Sequence, residues 1–439
     1  MNARQNPFFS VSTLPYQAPP FDQIEEQDFL PALQAGIEEK RQEIEAIALN
    51  SEAPTFLNTF EALEKSGQLL NRVNLVFGAM TSAHTSPLLQ QVDEEVAPQL
   101  TALNDDIMLN RPLFSRLDAV YLQRAKLDAE SKRLVEVIWQ RFQLAGANLP
   151  EAQKQQLKAL NQEAARLSTR FTNKLLAATK AGGLVVDDVQ QLAGLSAADL
   201  AVAQAEAQAR GLEKSWLLVL QNTTQQPALQ SLADRATREA LFRAGVTRTE
   251  KGDENDTREL VLRLAQVRAE QARLLGFSSY AEWKLQDQMA KTPKAALAFM
   301  HNIVPAARAR AERESADIQQ TIDQQQGDFT LQAWDWRFYA EQVRRARYDL
   351  DEGQIKPYFE LNSVLQNGVF WAATQLYGIR FTARQDLPVY HPDVQVYEIF
   401  DADETPLALF YTDFFKRDSK GGGAWMSNFV NQSTLLDSK

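Results

Sequence analysis

The 439-residue chain contains no cysteine, which excludes disulfides, thiolate metal sites and a cysteine nucleophile together and suits a reducing compartment. Histidine is nearly as scarce. His84, His301 and His391 are the three present, and none lies within a helical turn of another. A helical zinc motif sets two histidines at i and i+4 so that both imidazoles share one face; that spacing is absent, and each histidine is expected to be structural or surface. No Gly-x-Ser-x-Gly string marks a hydrolytic serine, and no Walker-type loop marks a nucleotide site. No apolar run approaches the roughly 20 residues of a spanning helix. Prolines break up the N-terminal stretch MNARQNPFFSVSTLPYQAPP, leaving no apolar core of a secretory signal. The expected location is therefore the cytoplasm, without a membrane partner.

Positive charge is also short. Against 57 acidic residues stand 46 basic ones, a net charge of −11. A surface that negative repels phosphate backbones, and no basic stripe offsets it. The densest basic cluster, Arg344, Arg345 and Arg347, lies in a helical pattern and reads as a solvated face, so no nucleic acid is expected.

What is present is an apolar fraction of 44% with 9% aromatics, enough to bury a core, in a length that suits two or three domains at roughly 150 residues each. Residues 1–24 read as an extended arm anchored by Phe8, Phe9, Leu14 and Phe21. Helical periodicity then dominates. Asp28 is the expected N-cap of a helix carrying Phe29, Leu33, Ile37, Ile44 and Ile47. Ser196-Ala-Ala-Asp199 resembles a capping box, and Thr292-Pro293 a helix start. Strands are expected at Leu184–Val186 and Trp216–Gln221. Helical patterns run to about Tyr377, after which Val394–Phe400 and Leu407–Phe415 alternate as strands around an Asp401-Ala-Asp403-Glu404 turn. The fold expected is mainly α, with a small β-sheet near the C-terminus.

Chemistry is harder to find. Asp401-x-Asp403-x-Thr405 is a poor calcium loop, because Pro406 stands where a sharp-turning glycine is needed. The acidic pairs Glu94-Glu95, Asp105-Asp106 and Asp187-Asp188 read as solvated faces and caps. Gly421-Gly422-Gly423 has no following Lys-Ser/Thr and more simply lets a backbone come close to something. The residues alone support a peptide-binding strand edge near the C-terminus, since an exposed edge bonds an extended peptide through main-chain groups. The alternative is a hairpin that only caps a core.

Several stretches go beyond pattern. Leu275-Gly-Phe-Ser-Ser-Tyr-Ala-Glu-Trp-Lys, Met289-Ala-Lys-Thr-Pro, Trp334-Asp-Trp-Arg-Phe-Tyr and Lys356-Pro-Tyr-Phe-Glu-Leu resemble the thimet oligopeptidase family of zinc metallopeptidases. So do Tyr390-His-Pro-Asp-Val, Phe410-Tyr-Thr-Asp-Phe-Phe and Ser419-Lys-Gly-Gly-Gly-Ala-Trp. The opening Asn6-Pro-Phe and Ser12-Thr-Leu-Pro-Tyr resemble its dipeptidyl carboxypeptidase (peptidyl-dipeptidase) branch.

That resemblance implies a helical two-lobed architecture, one zinc held by a His-Glu-x-x-His helix and a later Glu, and removal of C-terminal dipeptides from short unfolded peptides. Alternatives are a relative cutting internally and a non-catalytic peptide-binding fragment. No His-Glu-x-x-His string occurs here. The chain is accordingly expected to be truncated before the catalytic segment, to supply no catalytic residue, to bind no zinc itself, and to need a separate C-terminal part for hydrolysis. The resemblance also implies that Gly422, Gly423, Ala424 and Trp425 form a strand lining the substrate channel. The expected divisions are an arm (1–24), an N-terminal helical subdomain (25–180), a central mostly helical region (181–385) and a hairpin segment opening a catalytic domain (386–439).

Overall fold

The computed structural model describes residues 4–349 and 352–436 and is mainly helical, with a small antiparallel sheet near the C-terminus. The helix Phe29–Ala48 shows why. Phe29, Leu33, Ile37, Ile44 and Ile47 all turn inward, and burying each such side chain is worth about 1.5–3 kcal/mol. Gly36 shares that face. A Cβ there would lie 2.8 Å from the Leu70 backbone, so only glycine lets the helix Gln68–Ala83 approach this closely.

Caps follow the sequence in two cases and depart from it in a third. Ser196 closes its capping box with Asp199, and Thr292 accepts from the Ala295 amide with Pro293 in the first turn. Asp28 does not cap Phe29–Ala48. Its own backbone is already helical (φ −75°, ψ −26°), so the side chain cannot reach the amides ahead of it. The buried carboxylate instead takes the Arg4 guanidinium and the Glu25 amide, each at 2.7 Å.

The chain divides into two compact units. One comprises Met1–Phe171, Leu260–Gln286 and Ala373–Lys439, the other Thr172–Glu259 and Asp287–Ala372. No helix among the described residues is long and apolar enough to cross a membrane.

In the second unit, β1 (Leu184–Val186) and β2 (Trp216–Leu218) pair antiparallel with Leu184 opposite Leu218. The unit's polar centre is Asp335, fully buried and bonded by Arg235 at 2.9 Å and Arg238 at 3.2 Å. Phe329 and Phe338 lie against these guanidiniums at 4.1 and 4.2 Å, which limits hydration of the cations. The arginine cluster on Trp336–Tyr348 is not a bare basic face: Arg344 and Arg345 pair with Glu341 and Arg347 with Asp317. The helix Pro293–Gln324 carries an exposed apolar row of Leu297, Phe299, Met300, Ile303 and Val304.

In the first unit, the arm seats Phe8 on Phe29 (5.1 Å between rings), and Arg72 donates to the Phe8 carbonyl at 2.8 Å. β3 (Arg380–Ala383), β4 (Gln395–Phe400) and β5 (Pro406–Thr412) form an antiparallel sheet in that order, placing β5 at an edge. The Asp401–Thr405 turn is closed by the Asp401 amide donating to the Thr405 carbonyl at 2.9 Å. β3 has no counterpart among the sequence expectations. Only one of its four residues is even half-buried, so it carries no alternation to read.

Asp105 overturns the expectation of a solvated acidic pair. Asp106 meets Lys158 near the surface at 2.7 Å, whereas Asp105 is buried. One Asp105 oxygen accepts from Asn161 at 2.7 Å and the other has no partner. Burial pushes this carboxyl up to about 6 from an ordinary 3.8. The folded state therefore holds the proton more tightly than the unfolded chain, and stability is lost as pH rises from about 4 to about 6. Asp105→Asn is expected to stabilise the protein by about 2–3 kcal/mol at pH 7.5, with the gain vanishing near pH 4. Urea denaturation at both pH values checks this, and an equal gain at both would contradict it. Asp335→Ala, which strands the buried Arg238, is expected to cost about 3–5 kcal/mol in the same assay.

Candidate functional site

Beyond β5 the chain leaves regular structure and is held by one carboxylate. Asp413 accepts both Arg417 guanidinium nitrogens (2.9 and 2.7 Å), the Tyr390 hydroxyl (2.8 Å) and the Lys420 ammonium (3.0 Å). Lys420 also donates to the Phe415 carbonyl at 3.1 Å, and Arg417 to the Ala83 carbonyl at 2.6 Å. Burial alone would raise the Asp413 carboxyl, but the bonds from Arg417, Lys420 and Tyr390 outweigh it and hold the group well below the usual carboxylate range. Burial, then the bond to this anion, pushes the Tyr390 phenol upward.

The knot sets Ser419–Gly421 against the loop between the helices Gln68–Ala83 and Pro87–Met108. The Thr85 amide donates to the Ser419 carbonyl at 2.9 Å and the Gly421 amide to the Ser82 carbonyl at 2.8 Å. Past Gly421 the chain runs out into the open. Gly422, Gly423, Ala424 and Trp425 are all exposed, Trp425 by 44%. They form no strand: among the described residues no neighbouring ladder reaches them, and β5 is the last strand. The expectation of a strand at Gly422–Trp425 is corrected accordingly. A Cβ on Gly422 or Gly423 would meet nothing within 4 Å, and Gly423 sits at φ +96°, where side chains are strained. The glycines thus leave open space over a bare main chain, which a ligand backbone can occupy.

Sequence reasoning missed Asp413, Tyr390, Arg417 and Lys420. The signal it could have used is the charged run Lys416-Arg417-Asp418-Ser419-Lys420 directly after an apolar strand, where charge has no helical face to occupy. A cleft of about 610 Å³ lies elsewhere in this unit, lined by the arm, Ser66–Asn74 and Phe429–Leu436, and does not include Gly422–Trp425.

Two histidines separated by 307 positions in sequence meet here. The rings of His84 and His391 are 5.2 Å apart and tilted edge to face, while His301 is exposed on Pro293–Gln324. The His84 Nδ1 lies 3.3 Å from the Ser419 hydroxyl, and the His391 Nδ1 accepts from the Asp393 amide at 3.2 Å. Among the described residues no three His, Asp or Glu side chains converge as metal ligands. With no third ligand and the His391 Nδ1 already engaged, these residues do not fit a tetrahedral zinc.

Asp413→Asn is expected to leave buried Lys420 and half-buried Arg417 without their anion, to cost about 3 kcal/mol, and to speed chymotryptic cleavage after Phe414, Phe415 and Trp425 about tenfold. Cleavage at the wild-type rate would show that the segment is held by something else. Because Asp413 titrates low in the folded state, its contribution is complete above about pH 4 and is lost on further acidification.

Comparison with known proteins now adds to this geometry. Residues 228–439 match the model of peptidase family M3. The chain is 61% identical to the dipeptidyl carboxypeptidase of Escherichia coli over 98% of its own length and 63% of that protein. It is 59% identical to the dipeptidyl carboxypeptidase of Salmonella typhimurium, over 99% of this chain and 64% of that one. Escherichia coli oligopeptidase A is 29% identical over 96% of this chain and 63% of its own. The chain thus spans a little under two-thirds of the curated relatives it matches. Residues 228–439 of the chain are thus a peptidase family M3 domain.

Proposed function

We propose that the chain is the peptide-binding portion of a peptidyl-dipeptidase, an enzyme that removes C-terminal dipeptides from oligopeptides. The observation that carries this reading is the identity, at 61% over nearly the whole chain, to a dipeptidyl carboxypeptidase. The 29% identity to oligopeptidase A makes internal cutting the weaker alternative. Peptide is received along Gly422–Trp425, where bare main chain offers hydrogen bonds without side-chain selectivity, and along the edge of β5. Trp425 supplies an apolar and aromatic contact. Its ring lies 5.8 Å from the Lys420 ammonium, so the anchoring knot and the contact residue are coupled. The enzyme class uses zinc to activate water. Among the described residues nothing that comes together fits that ion, so we assign the chain peptide binding without hydrolysis, in the cytoplasm.

A second reading is favoured by the apolar row on Pro293–Gln324. Leu297, Phe299, Met300, Ile303 and Val304 would be covered by a separate polypeptide equivalent to the remainder of the relatives, and activity would return with it.

The purified chain is expected to release no dipeptide from N-blocked oligopeptides, with or without added zinc. It is expected to bind those peptides with a change in Trp425 fluorescence. Gly422→Ala is expected to leave the melting temperature unchanged, because its Cβ meets nothing, while weakening peptide binding about tenfold. Chelator-sensitive dipeptide release, or peptide binding indifferent to Gly422→Ala, would overturn the assignment. Adding a separately made C-terminal segment of the Escherichia coli enzyme tests the second reading. Restored release supports it, and no association rejects it.

A further inference from the structure

Proposed binding through Gly422–Trp425 leaves unused the one place where histidines converge. His84 caps the end of Gln68–Ala83, and His391 lies in the loop that follows β3. Their rings sit 5.2 Å apart immediately beside the backbone bonds that join Ser419–Gly421 to Ser82–Thr85. We propose that His84, with the His391 ring packed on it, is a pH-sensitive latch: with His84 neutral it holds Ser419–Gly421 against the Ser82–Thr85 loop, and with His84 charged it lets that segment go. The latch deepens the peptide-binding reading, because it controls the order of the segment assigned to receive peptide.

The surroundings decide the direction. The His391 Nδ1 accepts the Asp393 amide and lies 3.5 Å from the Asp393 carboxylate, which fixes that ring against His84. A proton on His84 meets the Arg417 guanidinium on one side and the His391 ring on another. Two carboxylates face His84 and favour its charged form, but they do not outweigh burial and the neighbouring cation. Glu26 is engaged by the Ser86 hydroxyl at 2.8 Å, and Asp413 is shared among Arg417, Lys420 and Tyr390. Lys420 adds positive charge on the segment itself. Accordingly burial first, then Arg417 and His391, hold His84 below the ordinary histidine value of 6.5 despite Glu26 and Asp413.

The sign follows by linkage. The closed arrangement binds protons less tightly than the open one, so closure is complete above the ordinary histidine range and weakens as pH falls through it. Asp413 does not titrate in that window, so the knot remains ionised while the latch changes state.

Hydrogen exchange on the full peptide-free chain tests this, with the Thr85 and Gly421 amides as reporters and rates corrected for intrinsic pH dependence. Protection at both is expected to fall about tenfold between pH 7.5 and pH 5.5, while amides of Phe29–Ala48 keep theirs. His84→Gln is expected to abolish the fall; protection in Phe29–Ala48 reports that the variant is folded. Constant protection in the wild type, or the same fall in His84→Gln, overturns the latch. Because no peptide is present, that failure would leave the binding assignment standing, and loss of peptide binding at pH 7.5 would leave the latch standing.

Discussion

The C-terminal stretch of this protein depends on one largely covered anion, its side chain 11% exposed. Asp413 is a costly residue to bury, and it is tolerated because four donors from three side chains converge on it. Breaking such a cluster costs far more than the cluster contributes relative to an apolar replacement, so its value lies in specifying one arrangement. It ties the end of β5 to Tyr390 in the loop between β3 and β4 and, through Arg417, to the carbonyl of Ala83. A run of chain without regular secondary structure thereby acquires a defined course. Aromatic stacking reinforces it from the other side: Phe21 of the arm contacts Tyr390 and Phe429 at 5.3 Å each.

That anchoring explains how an exposed glycine run can be useful. Glycine loses more conformational freedom on ordering than any other residue, and three in succession would ordinarily wander. Gly421 is pinned by its amide to Ser82, while Gly422 and Gly423 face open space. The result is main chain that is presented yet not covered, which is what recognition of peptides without regard to side chains demands. The rigid helical cores beneath supply the fixed reference, and the second unit's Asp335 cluster plays the corresponding role there.

Regular structure was legible wherever one face is buried. The helices, the pairs β1–β2 and β4–β5, and the Ser196 and Thr292 caps follow from apolar spacing and side-chain capping. β3 was not legible, because a mostly exposed strand has no alternation. Asp28 was misassigned by one turn, since a capping signal does not say whether the backbone is already helical. Asp105 looked like its exposed neighbour Asp106 because burial depends on Asn161, 56 residues away. The family was legible from short motifs, yet the site was not. Asp413, Tyr390 and the His84–His391 contact are tertiary facts between segments up to 307 positions apart in sequence, and no local period records them. The strand expected at Gly422–Trp425 failed because pairing needs a partner edge, which sequence alone does not locate.

The central claim is that the exposed backbone of Gly422–Trp425 receives peptide. Backbone amide resonances of the chain, followed while an N-blocked oligopeptide is titrated in at neutral pH, test it most directly. The account expects the largest shifts at the Gly422, Gly423 and Trp425 amides and in β5, with the Arg235–Asp335 region unmoved. Shifts confined to other surfaces, or none at saturating peptide, would contradict it.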